Sequence, residues 1–280
     1  MKKRNLIALP LMLLLASCNL PTGQPASPTP DLIATQVATL STLPPVETPT
    51  DSFPGPTATG EPAAVTATLL PSPTPLPPTA TTSPEDPRLQ LGNPTFTDTL
   101  DNGKSFGLES KAYDDDYTYI RVENGTLVLT SRYATGYHGW RTGGTKLGDA
   151  YLEATVHVGE CAGADTYGLV FRSPDFIKGY WFQVTCDGKW SLGYWNGNDY
   201  TLLKDGVSPS GAMLTGANQT NRLGVWTSGS QIKLYINGQL INESEDATFT
   251  EPGSFGAVIA SNNTPNLTVT IDKFTYWILD

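Results

Sequence analysis

From residue 94 onward, apolar and polar residues alternate in short runs separated by turn residues, and no stretch shows the spacing of an amphipathic helix. We predict strands near 95–100, 117–122, 126–132, 137–142, 149–158, 166–173, 179–186, 189–195, 200–204, 221–228, 231–236, 239–243, 254–261 and 267–278. Asn124-Gly125 and Asn237-Gly238 lie between such runs, and this dipeptide favours β-hairpins because both residues tolerate positive φ. Fourteen short strands without contiguous repeats predict an all-β fold of two antiparallel sheets packed face to face.

The hairpin over residues 179–195 decides which side chains face outward. A two-residue turn at Asp187-Gly188 would mix apolar and polar residues on both faces, whereas a three-residue loop over 186–188, with Gly188 at positive φ, separates them. The longer loop predicts a core face made of Tyr180, Phe182, Val184, Trp190, Leu192 and Tyr194. The opposite face then presents Trp181, Gln183, Ser191, Gly193 and Trp195.

Composition divides the chain at about residue 88. Residues 19–87 hold 17 of the 23 prolines, no Lys or Arg, and one aromatic residue, Phe53. Such a segment cannot bury a core, so residues 18–87 are predicted to be a disordered, extended linker. Residues 88–280 hold 26 of the 27 aromatic residues and are long enough for one domain.

The N-terminus has the pattern of an export signal. Lys2, Lys3 and Arg4 precede the apolar stretch 6–16, which is short for a transmembrane helix. Leu15-Ala-Ser-Cys18 resembles the bacterial lipobox, which implies a signal peptide over 1–17, lipidation of Cys18, and a membrane-anchored lipoprotein facing the extracellular or periplasmic side. The alternatives are an ordinary cleaved signal or a core helix.

The remaining cysteines, Cys161 and Cys186, are predicted to form a disulfide because the chain would work outside the cytosol. A two-thiol metal site is the alternative, although neither His138 nor His157 has metal-ligand spacing to them. The net charge of -10, with no basic cluster in the domain, argues against nucleic acid as a partner.

Five stretches of the domain resemble the concanavalin A-like lectin/glucanase fold, specifically its 3-keto-disaccharide hydrolase-like and laminin G-like members. They are Val122-Glu-Asn-Gly-Thr-Leu-Val-Leu129, Gly168-Leu-Val-Phe-Arg172, Gly179-Tyr-Trp-Phe-Gln-Val184, Leu234-Tyr-Ile-Asn-Gly-Gln-Leu240 and Ile271-Asp-Lys-Phe274. The resemblance covers residues 94–280 and implies a jelly-roll sandwich with a convex and a concave sheet. In carbohydrate-active relatives the concave sheet carries the ligand.

The resemblance makes the face with Trp181, Gln183 and Trp195 the candidate carbohydrate-binding site. Flat indoles suit the C–H faces of a sugar, while amides and hydroxyls suit its hydroxyl groups. We also expect Arg172, on the adjoining strand, to face the groove formed by this concave sheet. Trp140, in the segment 133–148, is expected to form a side wall of the same groove. The alternative is that this segment covers the tryptophans, which would then belong to a core.

Catalysis has weaker support in the sequence. Glycosidases need two carboxylates, and the paired spacing of the glucanases of this fold is absent. In 3-keto-disaccharide hydrolase-like domains the position of Trp181 is often acidic. We therefore expect a non-catalytic glycan-binding or recognition module. The alternatives are a glycoside-active enzyme with a loop carboxylate such as Asp175, Asp187 or Asp199, and a structural or adhesive domain with a protein partner.

No cofactor is expected, with one open alternative. Asp114, Asp115 and Asp116 could bind calcium with a loop carbonyl, although a charge run in a surface loop is usually only solvated. Glu153 alternates with core residues and is expected to lie on a solvated strand face.

Overall fold

A computed structural model of the protein describes residues 83–279. The chain divides into two units, residues 1–72 and 73–280, and all described residues belong to the second. The predicted signal peptide, Cys18 and all but the last residues of the predicted linker lie outside the described part. Within it, no helix is both long enough and apolar enough to span a bilayer.

The described residues form fifteen strands, a short helix and one turn of 3-10 helix. The helix is α1 (Arg88–Leu91), and the 3-10 turn covers Lys104–Phe106. The strands are β1 (Phe96–Asp98), β2 (Tyr113–Asp114), β3 (Thr118–Glu123), β4 (Thr126–Ser131), β5 (His138–Leu147), β6 (Ala150–Val158), β7 (Thr166–Ser173), β8 (Gly179–Thr185), β9 (Lys189–Trp195), β10 (Tyr200–Val207), β11 (Thr220–Ser228), β12 (Gln231–Ile236), β13 (Gln239–Glu245), β14 (Gly253–Ala260) and β15 (Leu267–Ile278). Each of the fourteen predicted runs is a strand, and the two-residue β2 was not predicted.

The strands build two antiparallel sheets. The nine-stranded sheet has the order β13-β12-β11-β6-β15-β4-β3-β2, with β1 added along β15, and the six-stranded sheet has the order β10-β9-β8-β7-β14-β5. Asn124 and Asn237 both have positive φ, 52° and 50°, as do the glycines that follow them, so the predicted hairpin turns are confirmed. The predicted fold class, a two-sheet antiparallel jelly-roll sandwich, is therefore correct.

Alternate residues of both sheets fill the space between them. Leu152 and Val156 of β6 face Tyr167 and Phe182 of the six-stranded sheet within one continuous apolar cluster, and all four are essentially inaccessible to solvent. Each fully buried side chain of this kind contributes about 1.5 to 3 kcal/mol relative to an exposed one. The core therefore fixes which residues remain on the two outer faces.

A disulfide joins two loops at one end of the sandwich. Cys161, after β6, bonds to Cys186, after β8, as predicted, and the bond closes a loop with a sequence separation of 25 residues. A crosslink of this span stabilises a fold by about 3 kcal/mol in the chain-entropy picture. The buried carboxylate of Asp165 lies beside it and accepts backbone N–H groups of Ala162, Asn262, Asn263 and Thr264.

The outer face of the nine-stranded sheet carries a small second core. Tyr151, Tyr235 and Trp277 pack together there, and Leu91 of α1 packs against them. The Trp277 Nε1 donates a hydrogen bond of 3.0 Å to the carbonyl oxygen of Gly92. The segment 86–92 thus lies across this face and excludes water from its aromatic residues.

Glu153 also lies on this outer face, but it is only 6% exposed, so the expectation of a solvated side chain was wrong. Arg222 Nη1 donates to its carboxylate at 2.6 Å and Arg222 Nη2 pairs with Asp86. Arg88 pairs with Asp86 at 3.0 Å. These four residues form the outer ionic cluster. Strand alternation predicted the face of Glu153 correctly, but it could not predict that a segment 67 residues earlier covers that face.

Candidate functional site

The register of the β8–β9 hairpin places the candidate site residues. The strands end at Thr185 and begin again at Lys189, and Gly188 has φ of 92° with its N–H donating to the Thr185 carbonyl at 3.0 Å. Trp181 therefore pairs with Gly193 and Gln183 with Ser191. This is the predicted three-residue loop, and it turns Trp181, Gln183 and Trp195 away from the core between the sheets.

Aromatic rings from four strands meet on the outer face of the six-stranded sheet. The indole of Trp181 lies at the centre, with ring centroids 6.0 Å from Trp195 and 5.4 Å from Trp140. His138 stacks on it at 5.3 Å, and Tyr200 lies at 5.5 Å. These five residues define the aromatic face. Strand β5 supplies His138 and Trp140, because its register opposite β14 points both toward this side.

The centre of the aromatic face is closed to solvent. Trp181 is 2% exposed and Gln183 is 4% exposed, so neither offers the open surface that the sequence suggested. The space above Gly193 is filled by Tyr200, whose hydroxyl group a Cβ at Gly193 would strike. Trp140 and Trp195 are half-buried, so part of each residue remains accessible to solvent. The accessible part of the predicted site is therefore its rim, and Trp181 forms the floor.

Two buried polar atoms on this face have no partner. The Trp181 Nε1 and the Gln183 Nε2 are both inaccessible to solvent and make no hydrogen bond within the described part of the chain. Buried donors of this kind are few in folded proteins, since each forfeits about 1 to 3 kcal/mol of hydration. A ligand that supplied a hydrogen-bond acceptor to either of these two donors would recover part of that lost free energy.

Arg172 does not belong to the aromatic face, which corrects the prediction. Its φ is 48°, and the pairing of β7 with β14 shifts register beside it. This local change turns the side chain toward the nine-stranded sheet, where it is 3% exposed. There it donates to the Gly229 carbonyl at 2.6 Å and pairs with Asp149 at 2.8 Å. Arg172 ties the sheets together at one end.

A groove opens beside Trp140, at the edge of the aromatic face. We call this the side groove; its volume is about 630 Å³ and it is lined by Lys104, Ser105, Phe106, Gly107, Tyr113, Trp140, Arg141, Thr142, Gly144, Phe176 and Ile177. Trp140 Nε1 donates to the Phe176 carbonyl at 3.2 Å, and Arg141 Nε donates to the Phe106 carbonyl at 2.7 Å. These bonds hold both walls of the groove to strand β5.

Carboxylates are scarce around this site. The six strands of the sheet contain one, Asp205 on β10, which pairs with Ser191 in the strand register. Among residues 83–279, the side chains of Asp175, Asp187 and Asp199 form hydrogen bonds only within their own turns. Hydrogen bonds from Lys189 and Thr185 lower the pKa of Asp187, and backbone N–H groups lower that of Asp175.

Two of the three predicted calcium ligands, Asp114 and Asp115, are bonded to protein groups. Asp114 pairs with Arg132 at 2.6 Å, and Asp115 accepts the Tyr117 N–H and the Tyr113 hydroxyl. In the part of the chain that the structure describes, the one group of ligand atoms close enough to hold a metal is Cys161, Asp165 and Cys186. Its two sulfur atoms are bonded to each other. No calcium site can be assigned from this arrangement.

The histidines differ in environment. His157 lies on an exposed strand surface, with Nε2 2.7 Å from Asp272. His138 begins β5 and packs on Trp181. Burial lowers the pKa of its imidazole, despite an opposing contribution from the Gly136 backbone. His138 was missed as a site residue because only the sheet order brings β5 near β8.

Several known proteins are similar to this chain in sequence or in structure. The profile of one family, described as a 3-keto-alpha-glucoside-1,2-lyase-like domain, matches residues 96–259. Among solved structures, carbohydrate-binding module CBM66 of Bacillus subtilis is similar with 17% identity and a TM-score of 0.40, covering 66% of this chain and 97% of its own. A Bacillus licheniformis β-glucanase has 12% identity and a TM-score of 0.47, covering 67% of this chain and 100% of its own. No curated protein matches the sequence.

Proposed function

The chain belongs to the 3-keto-alpha-glucoside-1,2-lyase-like domain family, and from this premise we propose that its sandwich is a non-catalytic carbohydrate-binding module displayed at the cell surface. The observation that carries the proposal is the aromatic face itself. The half-buried Trp140 and Trp195 flank two buried donors that lack partners among residues 83–279, on a sheet whose strands contain a single carboxylate.

The aromatic face has the mixture of groups that a sugar ring requires. The indoles of Trp140 and Trp195 provide flat apolar surface at the rim, and their ring centroids are 6.5 Å apart. The Trp181 Nε1 and the Gln183 Nε2 supply donors to hydroxyl oxygens once the rim side chains move aside. A small number of polar groups set among aromatic side chains is typical of small-molecule binding sites.

The scarcity of carboxylates favours binding over cleavage. Hydrolysis of a glycosidic bond ordinarily uses a proton donor and a second carboxylate about 5 to 10 Å away. The position that is often acidic in 3-keto-disaccharide hydrolase-like domains is the buried Trp181 here. Asp205 lies on the edge strand β10, and four strands separate β10 from β5, which carries Trp140, in the sheet order.

A glycoside-active enzyme is the second candidate, favoured by two turns beside the rim. Asp175 lies in the turn whose Phe176 carbonyl accepts the Trp140 Nε1, and Asp199 lies in the turn between Trp195 and Tyr200. This candidate predicts that the full chain releases products from 3-keto-glucosides, measured by chromatography. Asp175→Asn or Asp199→Asn would abolish the release, and absence of products from the unmodified chain would contradict it.

The placement at the cell surface rests on the lipobox-like sequence ending at Cys18. Two or more acyl chains on this cysteine would anchor the chain stably without a transmembrane helix. The expected result is incorporation of radiolabelled palmitate by the full chain when it is expressed in bacteria, and loss of the label in Cys18→Ser. Unchanged labelling of Cys18→Ser would contradict the anchor while leaving the binding proposal intact.

The binding proposal is tested with the full chain in detergent, by affinity electrophoresis and calorimetry against a panel of neutral and acidic polysaccharides. Trp140→Ala and Trp195→Ala should each weaken binding roughly tenfold, about 1.4 kcal/mol, as the loss of a stacking surface implies. Trp226→Ala is the matched control, because Trp226 is a half-buried indole on the opposite outer face. Equal losses in all three variants, or no binding to any polysaccharide, would refute the proposal.

A further inference from the structure

The charge of the side groove departs from that of the whole protein. The chain has a net charge of -10, yet the described residues that line the groove include Lys104 and Arg141 and no carboxylate. We propose that the side groove binds an acidic sugar unit, a uronic-acid residue of a glycan chain that also contacts the aromatic face. This inference rests on the proposed carbohydrate-binding function and specifies its ligand class.

Arg141 differs from the other arginines of the described part. Arg88, Arg121, Arg132, Arg172 and Arg222 each form an ion pair with an aspartate or glutamate. Arg141 is the one arginine in residues 83–279 that pairs with no carboxylate. A guanidinium without a protein counter-ion in a groove is suited to an external carboxylate.

The guanidinium of Arg141 is also held in place. Its Nε and Nη2 donate to the carbonyl oxygens of Phe106 and Gly107, at 2.7 and 3.2 Å. Its Nη1 makes no hydrogen bond to any residue of the described range, so one donor edge is left for a ligand. Because two bonds already restrict the side chain, an anion that binds there meets a largely preorganised partner.

Lys104 adds a second positive charge, which forms no ion pair with a carboxylate of residues 83–279. It lines the side groove and also a neighbouring groove that contains Asp98 and Asp101. Those two carboxylates accept hydrogen bonds from the Leu100 N–H and the Thr99 hydroxyl, and within the described residues Lys104 has no ion pair with either. Its ammonium group is therefore free to approach a ligand.

The remaining walls suit a sugar ring. Tyr113, Phe176 and Ile177 are exposed by 40%, 52% and 53%, beside the half-buried Trp140. Exposed apolar side chains gathered in one groove commonly mark a binding site. Trp140 belongs both to the groove and to the aromatic face, so one glycan chain can contact both.

The test compares ligands that differ only in charge. The full chain in detergent is titrated with polygalacturonate and hyaluronan, and with the methyl-esterified form of each, at low and at high salt. We expect the free acids to bind about tenfold more tightly than the esters, as charge-assisted hydrogen bonds imply. The preference should shrink at high salt because partly exposed charges are screened.

Substitutions in the side groove test whether the preference for free acids arises there. Arg141→Gln should abolish the preference for the free acids, and Lys104→Gln should reduce it by a few fold. Lys273→Gln on the nine-stranded sheet is the control of equal charge change. The Lys104 side chain forms no hydrogen bond or ion pair within residues 83–279, so Lys104→Gln should fold normally. It therefore keeps the proposal testable if Arg141→Gln does not fold.

The outcomes separate the two levels of proposal. Binding of neutral polysaccharides with no preference for the free acids would overturn the acidic-sugar inference and leave the proposed function standing. A preference that survives both substitutions would also overturn it, because the charge would then be recognised elsewhere. No binding to any polysaccharide, neutral or acidic, would refute both proposals together.

Discussion

The two outer faces of the sandwich both carry buried aromatic residues, but they satisfy their polar atoms differently. On the nine-stranded sheet, the Trp277 Nε1 donates to Gly92 and the Tyr151 hydroxyl donates to Glu153. On the six-stranded sheet, the Trp181 Nε1 and the Gln183 Nε2 have no partner in the described part of the chain. One face is closed by a segment of the chain that completes its hydrogen bonds, and the other is closed only by neighbouring rings.

This difference separates a structural face from a candidate binding face. Burial alone would not distinguish them, since Tyr151 and Trp181 are both nearly inaccessible. Folded proteins satisfy almost all buried polar groups, so a face that leaves two donors unmet is a candidate for binding an external group. The comparison predicts that mutations on the first face cost stability, while mutations on the second cost binding.

The largest expected effect is on the outer ionic cluster. Arg222→Met leaves the carboxylates of Asp86 and Glu153 buried without their main partner. Breaking a buried pair in this way costs about 3 to 5 kcal/mol of unfolding free energy, measured by urea denaturation. Arg121→Met, which removes a surface pair with Glu123, should cost less than about 1 kcal/mol. Equal costs would contradict the structural role of the cluster.

The contributions of the two outer faces to stability should be lost over different pH ranges. Burial would raise the pKa of Asp86, but hydrogen bonds from Arg222 and Arg88 outweigh it and lower the value from 3.8 to about 2. Its contribution, about 2 kcal/mol, is complete above pH 3.8 and is lost as the pH falls toward 2. Thermal unfolding followed across this range should show that step, and Asp86→Asn should remove it.

The aromatic face should respond at a higher pH. Burial lowers the pKa of His138 below its ordinary 6.5, so the unfolded chain binds a proton first. The stability that depends on neutral His138 is therefore complete above pH 6.5 and declines as the pH falls below it. His138→Phe keeps the stacking on Trp181 and should remove this decline. A decline of unchanged size in that variant would assign the titration to another group.

The smallest expected change in stability is at Gln183. Since its Nε2 is already unpartnered, Gln183→Leu should alter the unfolding free energy by less than about 1 kcal/mol or increase it. Carbohydrate binding should weaken in the same variant. Asn221→Leu is the contrast, because the Asn221 amide is buried and bonds to Tyr167, Leu214 and Asn237. A large loss of stability in Gln183→Leu would mean that the amide already has a partner.

Local rules predicted the strands and the central hairpin well. The β8–β9 register followed from alternation plus a glycine that adopts positive φ, and both are visible in the sequence. Arg172 was misplaced because a non-glycine residue takes left-handed φ beside a register shift, which reverses the side chain and has no sequence signal. His138 and Glu153 depend on contacts between distant segments, and alternation cannot predict what covers a strand.

The segment 86–92 is held on one outer face of the domain. It is fixed to the outer face of the nine-stranded sheet by the Arg222 pairs and by Trp277, whereas the aromatic face lies on the far side of the sandwich. A pulling force on the chain before Asp86 would therefore act on the outer face of the nine-stranded sheet, on the side of the domain opposite the aromatic face.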